Sequence, residues 1–459
     1  MHVQEILPFH LFHYEGESYV INIEKMQAKT VDNQTAEALK GIASRPDMML
    51  SPDLKEKLLS LELLMNDSLR RNSVIAYQHV PVANMSLLVT QACNLRCVYC
   101  YEDKTNAIMD EKTAFRSVDW LIKHSGDMKC ITISFFGGEP LLNFPLIKTV
   151  VEYAQERANE VGKKVWYTIT TNGTLLNDEI ICFLKDHNFS VQISFDGLKE
   201  LQDAQRPYAT GHGSYDSVVP KIKELLKVLP QTSAHAVIMG STSPEAVKLS
   251  LQELGFNQVS AVMNSQSLFT AEQKDANPVR DTSSMLLSLN EEANAWYRLI
   301  RNRDYSELKM MIDRSGLYFV LQCLLHNTIR KYFCGAGRGF TAVTPSGDVY
   351  LCHRFVGMEE YILGNIYNQE LDNDIYHKNT VDINETCKNC FARYYCGGGC
   401  MHDNASSAGS IFTPEEKMCL VKRRELELGS AIVSRLTSED LAFLIKEKIF
   451  SPKPCPFDF

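Results

Sequence analysis

The hydrophobic positions change rhythm along the chain. Near the N-terminus Tyr19, Ile21 and Ile23 alternate with Val20, Asn22 and Glu24, the period of two expected of a strand with one better-buried face. His10 to Thr30 reads as two short strands around the turn Glu15-Gly16-Glu17. From about Asn33 the period lengthens, with Ala36, Leu39 and Ile42 on one helical stripe, and 54–64 is a second helical segment. The stretch 70–83 is expected as a linker. Residues 1–80 therefore read as a small winged-helix-like module, or as a cap that shields the next domain.

From residue 86 the pattern becomes strand and helix in alternation. Strands are expected at 86–90, 131–136, 165–170, 191–195, 234–239 and 258–263. A helix starts at Asp110, with Ala114, Val118, Leu121 and Ile122 on one face. Six such units imply a parallel α/β sheet with right-handed crossovers, either open and doubly wound or closed part-way into a barrel. Beyond it, 265–333 is polar and then helical, with one helix expected over 306–329. The segment 334–419 is rich in Cys and Gly and poor in regular periodicity, which suits a fold built around metal. A helix over about 438–449 precedes the tail, which contains Cys455.

Composition narrows the class. The 45% hydrophobic and 22% charged content is that of a globular protein, and 459 residues suggest several domains. A net charge of −9 argues against sequence-blind nucleic-acid binding. Neither a signal-peptide pattern nor a run of 18 apolar residues is expected to direct the chain to a membrane, so the cytoplasm is the expected compartment. There the fourteen cysteines need an explanation other than disulfides.

The polar residues of interest come just after the expected strands. Cys93 comes after the first and Gly137-Gly138-Glu139-Pro140 after the second. Thr171-Asn172-Gly173 follows the third, and Asp196-Gly197 the fourth. Active sites of parallel α/β folds lie at the C-terminal ends of strands. Cys93-x3-Cys97-x2-Cys100 offers three thiolates without a local fourth, which suits three corners of a four-iron cluster with one iron left open. A structural zinc site wants four closed ligands.

On these residues, with Tyr99 before the last cysteine, the chain resembles the radical S-adenosylmethionine (SAM) superfamily. The resemblance implies a partial (β/α)6 barrel whose Cys93, Cys97 and Cys100 hold a catalytic [4Fe–4S] cluster. It implies that Gly137-Gly138-Glu139-Pro140 meets the amino group of SAM, glycine permitting close backbone approach and the carboxylate pairing with the ammonium. It places Ser194 near the ribose or the methionine carboxylate, Arg206 on that carboxylate, and Tyr99 beside the cofactor. Gln202 stands where the family usually has a histidine. A strand-end hydroxyl and a surface ion pair are the bland readings of Ser194 and Arg206.

The later cysteines resemble the SPASM extension, which holds two auxiliary [4Fe–4S] clusters. By that resemblance Cys387, Cys390, Cys396 and Cys419 hold one, and Cys334, Cys352 and Cys400 hold three corners of the other. Phe340 stands where some relatives supply the fourth corner; Cys323 or a substrate thiolate are alternatives. Cys387, Cys390, Cys396 and Cys400 taken alone also suit a zinc site. Cys130 and Cys182 are expected as small buried hydrophobes.

Around Cys352-His353-Arg354-Phe355-Val356-Gly357 the sequence is similar to maturases that build thioether crosslinks in ribosomally made peptides, the ranthipeptide type. That resemblance implies a precursor whose leader adds a strand to a sheet edge in 1–80, and an electron donor such as flavodoxin or ferredoxin. It implies cleavage of SAM to methionine and a 5′-deoxyadenosyl radical, hydrogen abstraction from a peptide carbon, and bonding of a peptide cysteine sulfur to it. The expected organisation is a recognition domain over 1–80, a barrel over 81–300, a helical bridge over 301–333, a SPASM domain over 334–425, and a helix with tail over 426–459.

Overall fold

A computed structural model describes residues 6–45, 50–64, 79–102, 104–239, 242–263, 282–368 and 371–450. Most of the expected linker, the polar start of 265–333 and the tail with Cys455 lie outside these residues. The chain divides into two compact units, one of 1–77, 280–334 and 379–459, the other of 78–279 and 335–378.

The second unit is built on one sheet. Its six parallel strands are β4 (Asn84–Thr90), β5 (Cys130–Gly137), β6 (Lys164–Thr171), β7 (Ser190–Ser194), β8 (Ser233–Ile238) and β9 (Gln258–Met263). Each pairs with the next in chain order. This unbroken order is that of a partial barrel; a doubly wound sheet would reverse direction at a switch point. On β5 to β8 alternate side chains, including Ile133, Ile169, Ile193 and Ala236, are fully buried. The alternate positions Ser134, Phe136, Thr168, Thr170, Gln192, Ser194, His235 and Val237 are half-buried and line the inner face.

Three further strands extend this sheet beyond β4: β10 (Phe340–Val343), β11 (Asp348–Tyr350) and β12 (Ile362–Asn365). β10 runs parallel to β4, and the other two follow antiparallel. The segment expected as one SPASM domain over 334–425 is thus divided: 335–378 belongs with the barrel strands and the rest with the other unit. Period-two signals only three or four residues long are too short to stand out among the surrounding glycines.

The first unit holds an antiparallel sheet in the order β1-β2-β3, from β1 (Phe9–Tyr14), β2 (Glu17–Asn22) and β3 (Gln27–Val31). The sequence pattern suggests two strands. The third emerges because one 3-10 turn, Ile23–Lys25, capped by Asn22 and closed by Met26 at φ 50°, reverses the chain within four residues. Glu15 (φ 49°) and Gly16 (φ 80°) make the β1–β2 turn, whose two left-handed residues match the twist of a hairpin.

Helices Asn33–Ser44 and Pro52–Ser60, capped by Asp32 and Ser51, cover one face of this sheet, burying Val20, Val31, Leu39 and Leu58 together. The other face is not free. Phe12, Tyr19 and Ile21 share a core with Trp296 and Leu321 and with Leu428 and Ile432 of helix Glu416–Ser434. The described sheet and helices of 9–60 therefore share one unit with the helices of 282–325 and 416–434. The expected single helix over 306–329 is two, Tyr305–Arg314 and Leu317–Leu325, preceded by Thr282–Asn302. Arg303 at φ 54° and the Asp304 cap break the first junction.

Candidate active site

The loop after β4 carries Cys93, Cys97 and Cys100, and backbone hydrogen bonds fix it on both sides. Arg96 N donates to Pro207 O (2.8 Å) and Val98 N to Gln205 O (2.9 Å). Gly138 N donates to Thr90 O (3.0 Å) and Glu139 N to Ala92 O (2.9 Å). A Cβ on Gly137, whose φ is +131°, would stand 1.9 Å from Thr90 O, and one on Gly138 2.3 Å from Ala92 O. Both glycines are thus required for the close approach of this segment to the cysteine loop.

Glu139 is 0% exposed. Its Oε1 accepts from Thr171 Oγ1 (2.6 Å) and Leu141 N (3.1 Å), and its Oε2 from Asn172 N (2.8 Å). The carboxylate is turned inward and ties the strand ends of β5 and β6 together. Burial, outweighing these bonds, pushes its pKa up to about 7. No cation is hydrogen-bonded to it among the described residues. Asn172 extends the tie, its Nδ2 donating to Asn94 Oδ1 (3.0 Å) and lying 3.9 Å from Cys93 Sγ.

Across the rim lies a buried ion pair. Asp196, 0% exposed, accepts from Tyr99 OH (2.8 Å), Gln205 Nε2 (2.7 Å) and Val237 N (3.0 Å), and Arg206 Nε lies 3.0 Å from it. Arg206 is 5% exposed and stands over the Tyr99 ring at 5.2 Å. This is no surface ion pair. Burial works against the guanidinium charge, but Asp196 and then Tyr99 and Cys97 more than offset it, so its pKa is raised. Burial raises the Cys97 thiol, and Arg206 offsets part of that rise.

Gln202, in place of the family's histidine, accepts from Asp196 N (2.8 Å) and donates to Ser214 Oγ (2.8 Å). The neutral amide does both tasks at once. Ser194 ends β7 half-buried, in register with His235. Asp196 and Asn172 were legible as residues just after strands. The parts of Gln202 and Gln205 were not, because they depend on how the helix that carries them packs against the strand ends.

Cys387, Cys390, Cys396 and Cys419 line one pocket in the first unit. Burial, then the neighbouring thiols, push Cys387 up to about 12. Among the described residues no three His, Cys, Asp or Glu side chains are set to hold a single metal ion. The four thiols line one pocket, a donor set of the kind that holds a four-iron cluster. Cys334 and Cys400 belong to this unit and Cys352 to the other. Cys352 lies near Tyr101, whose pKa is raised by burial and then by Glu102, Cys100 and Cys352. Cys323 is buried in the helical core. Cys130 and Cys182 are exposed, contrary to expectation: one opens β5, and the other lies opposite the inner face of helix Asp178–Asp186 formed by Ile180, Ile181 and Leu184.

Residues 87–254 match the family model described as the Radical SAM superfamily, and 334–391 match the iron–sulfur cluster-binding SPASM domain. An uncharacterised protein of Methanocaldococcus jannaschii is 30% identical, over 68% of this chain and 96% of that protein. The chain belongs to the radical SAM superfamily. It is an enzyme of that superfamily, with a [4Fe–4S] cluster and SAM as cofactors and a SPASM domain that binds auxiliary iron–sulfur clusters. A cysteine-type anaerobic sulfatase-maturating enzyme of Clostridium novyi is 26% identical, over 69% of this chain and 88% of that one. The structure of Streptococcus suis SuiB bound to precursor peptide SuiA is similar at a TM-score of 0.50 and 15% identity, covering 91% of this chain and all of that one.

The site fits these cofactors. The anchored cysteine loop offers three thiols, and the rim sets the buried Glu139 field against the buried Arg206 charge, a complement to an ammonium and a carboxylate. No helix among the described residues is long and apolar enough to cross a membrane.

Proposed function

We propose that this radical SAM enzyme installs thioether crosslinks in a ribosomally made precursor peptide, joining a cysteine sulfur to a carbon of another residue. The observation that carries the reading is the three-stranded sheet of residues 9–31, built into the same unit as the four-cysteine pocket. Among the described residues the outer edges of β1 and β3 have no strand partner, so a leader can add to one of them as a further strand. The structural likeness to SuiB covers 91% of this chain, which supports a shared N-terminal element.

In this reading Cys93, Cys97 and Cys100 hold the catalytic cluster. The rim around Glu139, Ser194, Tyr99 and Arg206 orients SAM, and an electron donor such as flavodoxin or ferredoxin supplies the reducing electron. Bound there, the cofactors supply a 5′-deoxyadenosyl radical. The chain's own residues position the peptide and exclude water from the half-buried inner face of the barrel.

The test is anaerobic incubation with SAM, dithionite and the cysteine-containing peptides encoded beside the gene, followed by mass spectrometry and thiol alkylation. The expected product has lost two hydrogens per crosslink, and its cysteine resists alkylation. Loss of two hydrogens with cysteines still free and no reaction with a carbonyl probe would mean carbon–carbon crosslinking. The 26% identity to a sulfatase-maturating enzyme favours, as a second reading, oxidation of a protein Cys or Ser side chain, which would give an aldehyde in its place.

A further inference from the structure

The pocket of Cys387, Cys390, Cys396 and Cys419 is walled by three cations, Arg393, Lys422 and Arg423. Arg393 is the most enclosed of them that also reaches another element. It is 8% exposed, its Nη1 donates to Cys390 O (3.4 Å), and its guanidinium lies 4.5 Å from the Tyr394 ring centroid. Its Nη2 donates to Glu24 Oε1, and Tyr394 OH donates to Glu24 Oε2 (3.3 Å). Asp382 stands 3.9 Å from Arg393 Nε but is shared with Lys331 at 3.1 Å. Lys422 is paired with Glu425 at 2.7 Å. Glu24 comes from the 3-10 turn between β2 and β3, so the N-terminal sheet supplies the acid that faces a cation in the wall of the cysteine pocket.

A four-thiolate cluster carries negative charge, and reduction adds more. A buried cation beside it favours the reduced state, and an acid paired with that cation cancels the effect. We propose that Glu24 sets the reduction potential of the cluster in this pocket by neutralising Arg393, making the N-terminal sheet a working part of the redox site. The inference rests on these four cysteines holding an auxiliary cluster, and goes beyond any role of the sheet in holding a leader.

The test is a redox titration of the reconstituted full-length chain, followed by electron paramagnetic resonance. Cys387→Ala identifies the signal by abolishing it; a signal unchanged in that variant would fault the ligand assignment and not the tuning. Glu24→Gln is expected to raise the ratio of reduced to oxidised cluster at fixed potential about tenfold, equivalent to 59 mV for one electron. Arg393→Gln is expected to move it the other way, and the double variant to return near wild type. Unchanged midpoints, or single variants that move together, at unchanged iron content would overturn the proposal. If Glu24→Gln loses iron, Glu24→Asp keeps the charge and should keep the wild-type midpoint while Arg393→Gln lowers it; failure of both also overturns it.

Discussion

Replacing Arg206 by Met tests whether the rim ion pair is structural surface or a built site. The change removes a guanidinium that is 5% exposed and leaves Asp196, which is 0% exposed, with a buried charge. Breaking a buried pair from one side costs roughly 3–5 kcal/mol. Here Tyr99 OH, Gln205 Nε2 and Val237 N continue to donate to the carboxylate, so the low end applies, about 3 kcal/mol. Asp196→Asn should cost at least as much, since Asp196 is the carboxylate ion-paired with Arg206. The double variant should lose less than the sum, because each single change strands the other partner. Anaerobic urea unfolding of the cluster-loaded protein measures all three, and equilibrium dialysis of SAM reads the binding role. An Arg206→Met protein within about 0.5 kcal/mol of wild type, with SAM affinity retained, would match an exposed pair and refute the reasoning.

Gly138→Ala should prevent the cysteine loop from seating, because its Cβ would meet Ala92 O at 2.3 Å with φ in the ordinary range; reduced iron retention checks this, and normal loading would contradict it. Cluster loading should improve as pH rises from about 7 to 9, since burial lifts Cys93 to about 11 and Cys387 to about 12, and each thiol must shed a proton to bind iron. Iron content after reconstitution across that range is the measurement, and a flat profile would count against buried thiol ligands.

The barrel was legible because its six strands are long enough to show period two and each of the first four ends in a residue of distinctive chemistry. The features that the pattern hid were hidden for physical reasons. The hairpin of β10 and β11 is too short to signal itself. The inward turn of Glu139 depends on Thr171 and Asn172 of the neighbouring strand. Gln202 looked like a defect in a motif, yet its amide bridges Asp196 and Ser214, a role visible only once the helix that carries it is placed. The cysteine spacing grouped Cys387, Cys390, Cys396 and Cys419 only by resemblance, since Cys419 stands far along the chain from Cys396, and folding is what returns the last to the first three.

The apolar face of the β1–β3 sheet is closed by helix Glu416–Ser434. During synthesis the ribosome therefore releases the sheet long before it makes the helix that completes its core. The sheet must wait, one face uncovered, until that helix has been made. A prematurely terminated copy exposes Phe12, Tyr19 and Ile21 to solvent and presents a greasy tag to chaperones and proteases.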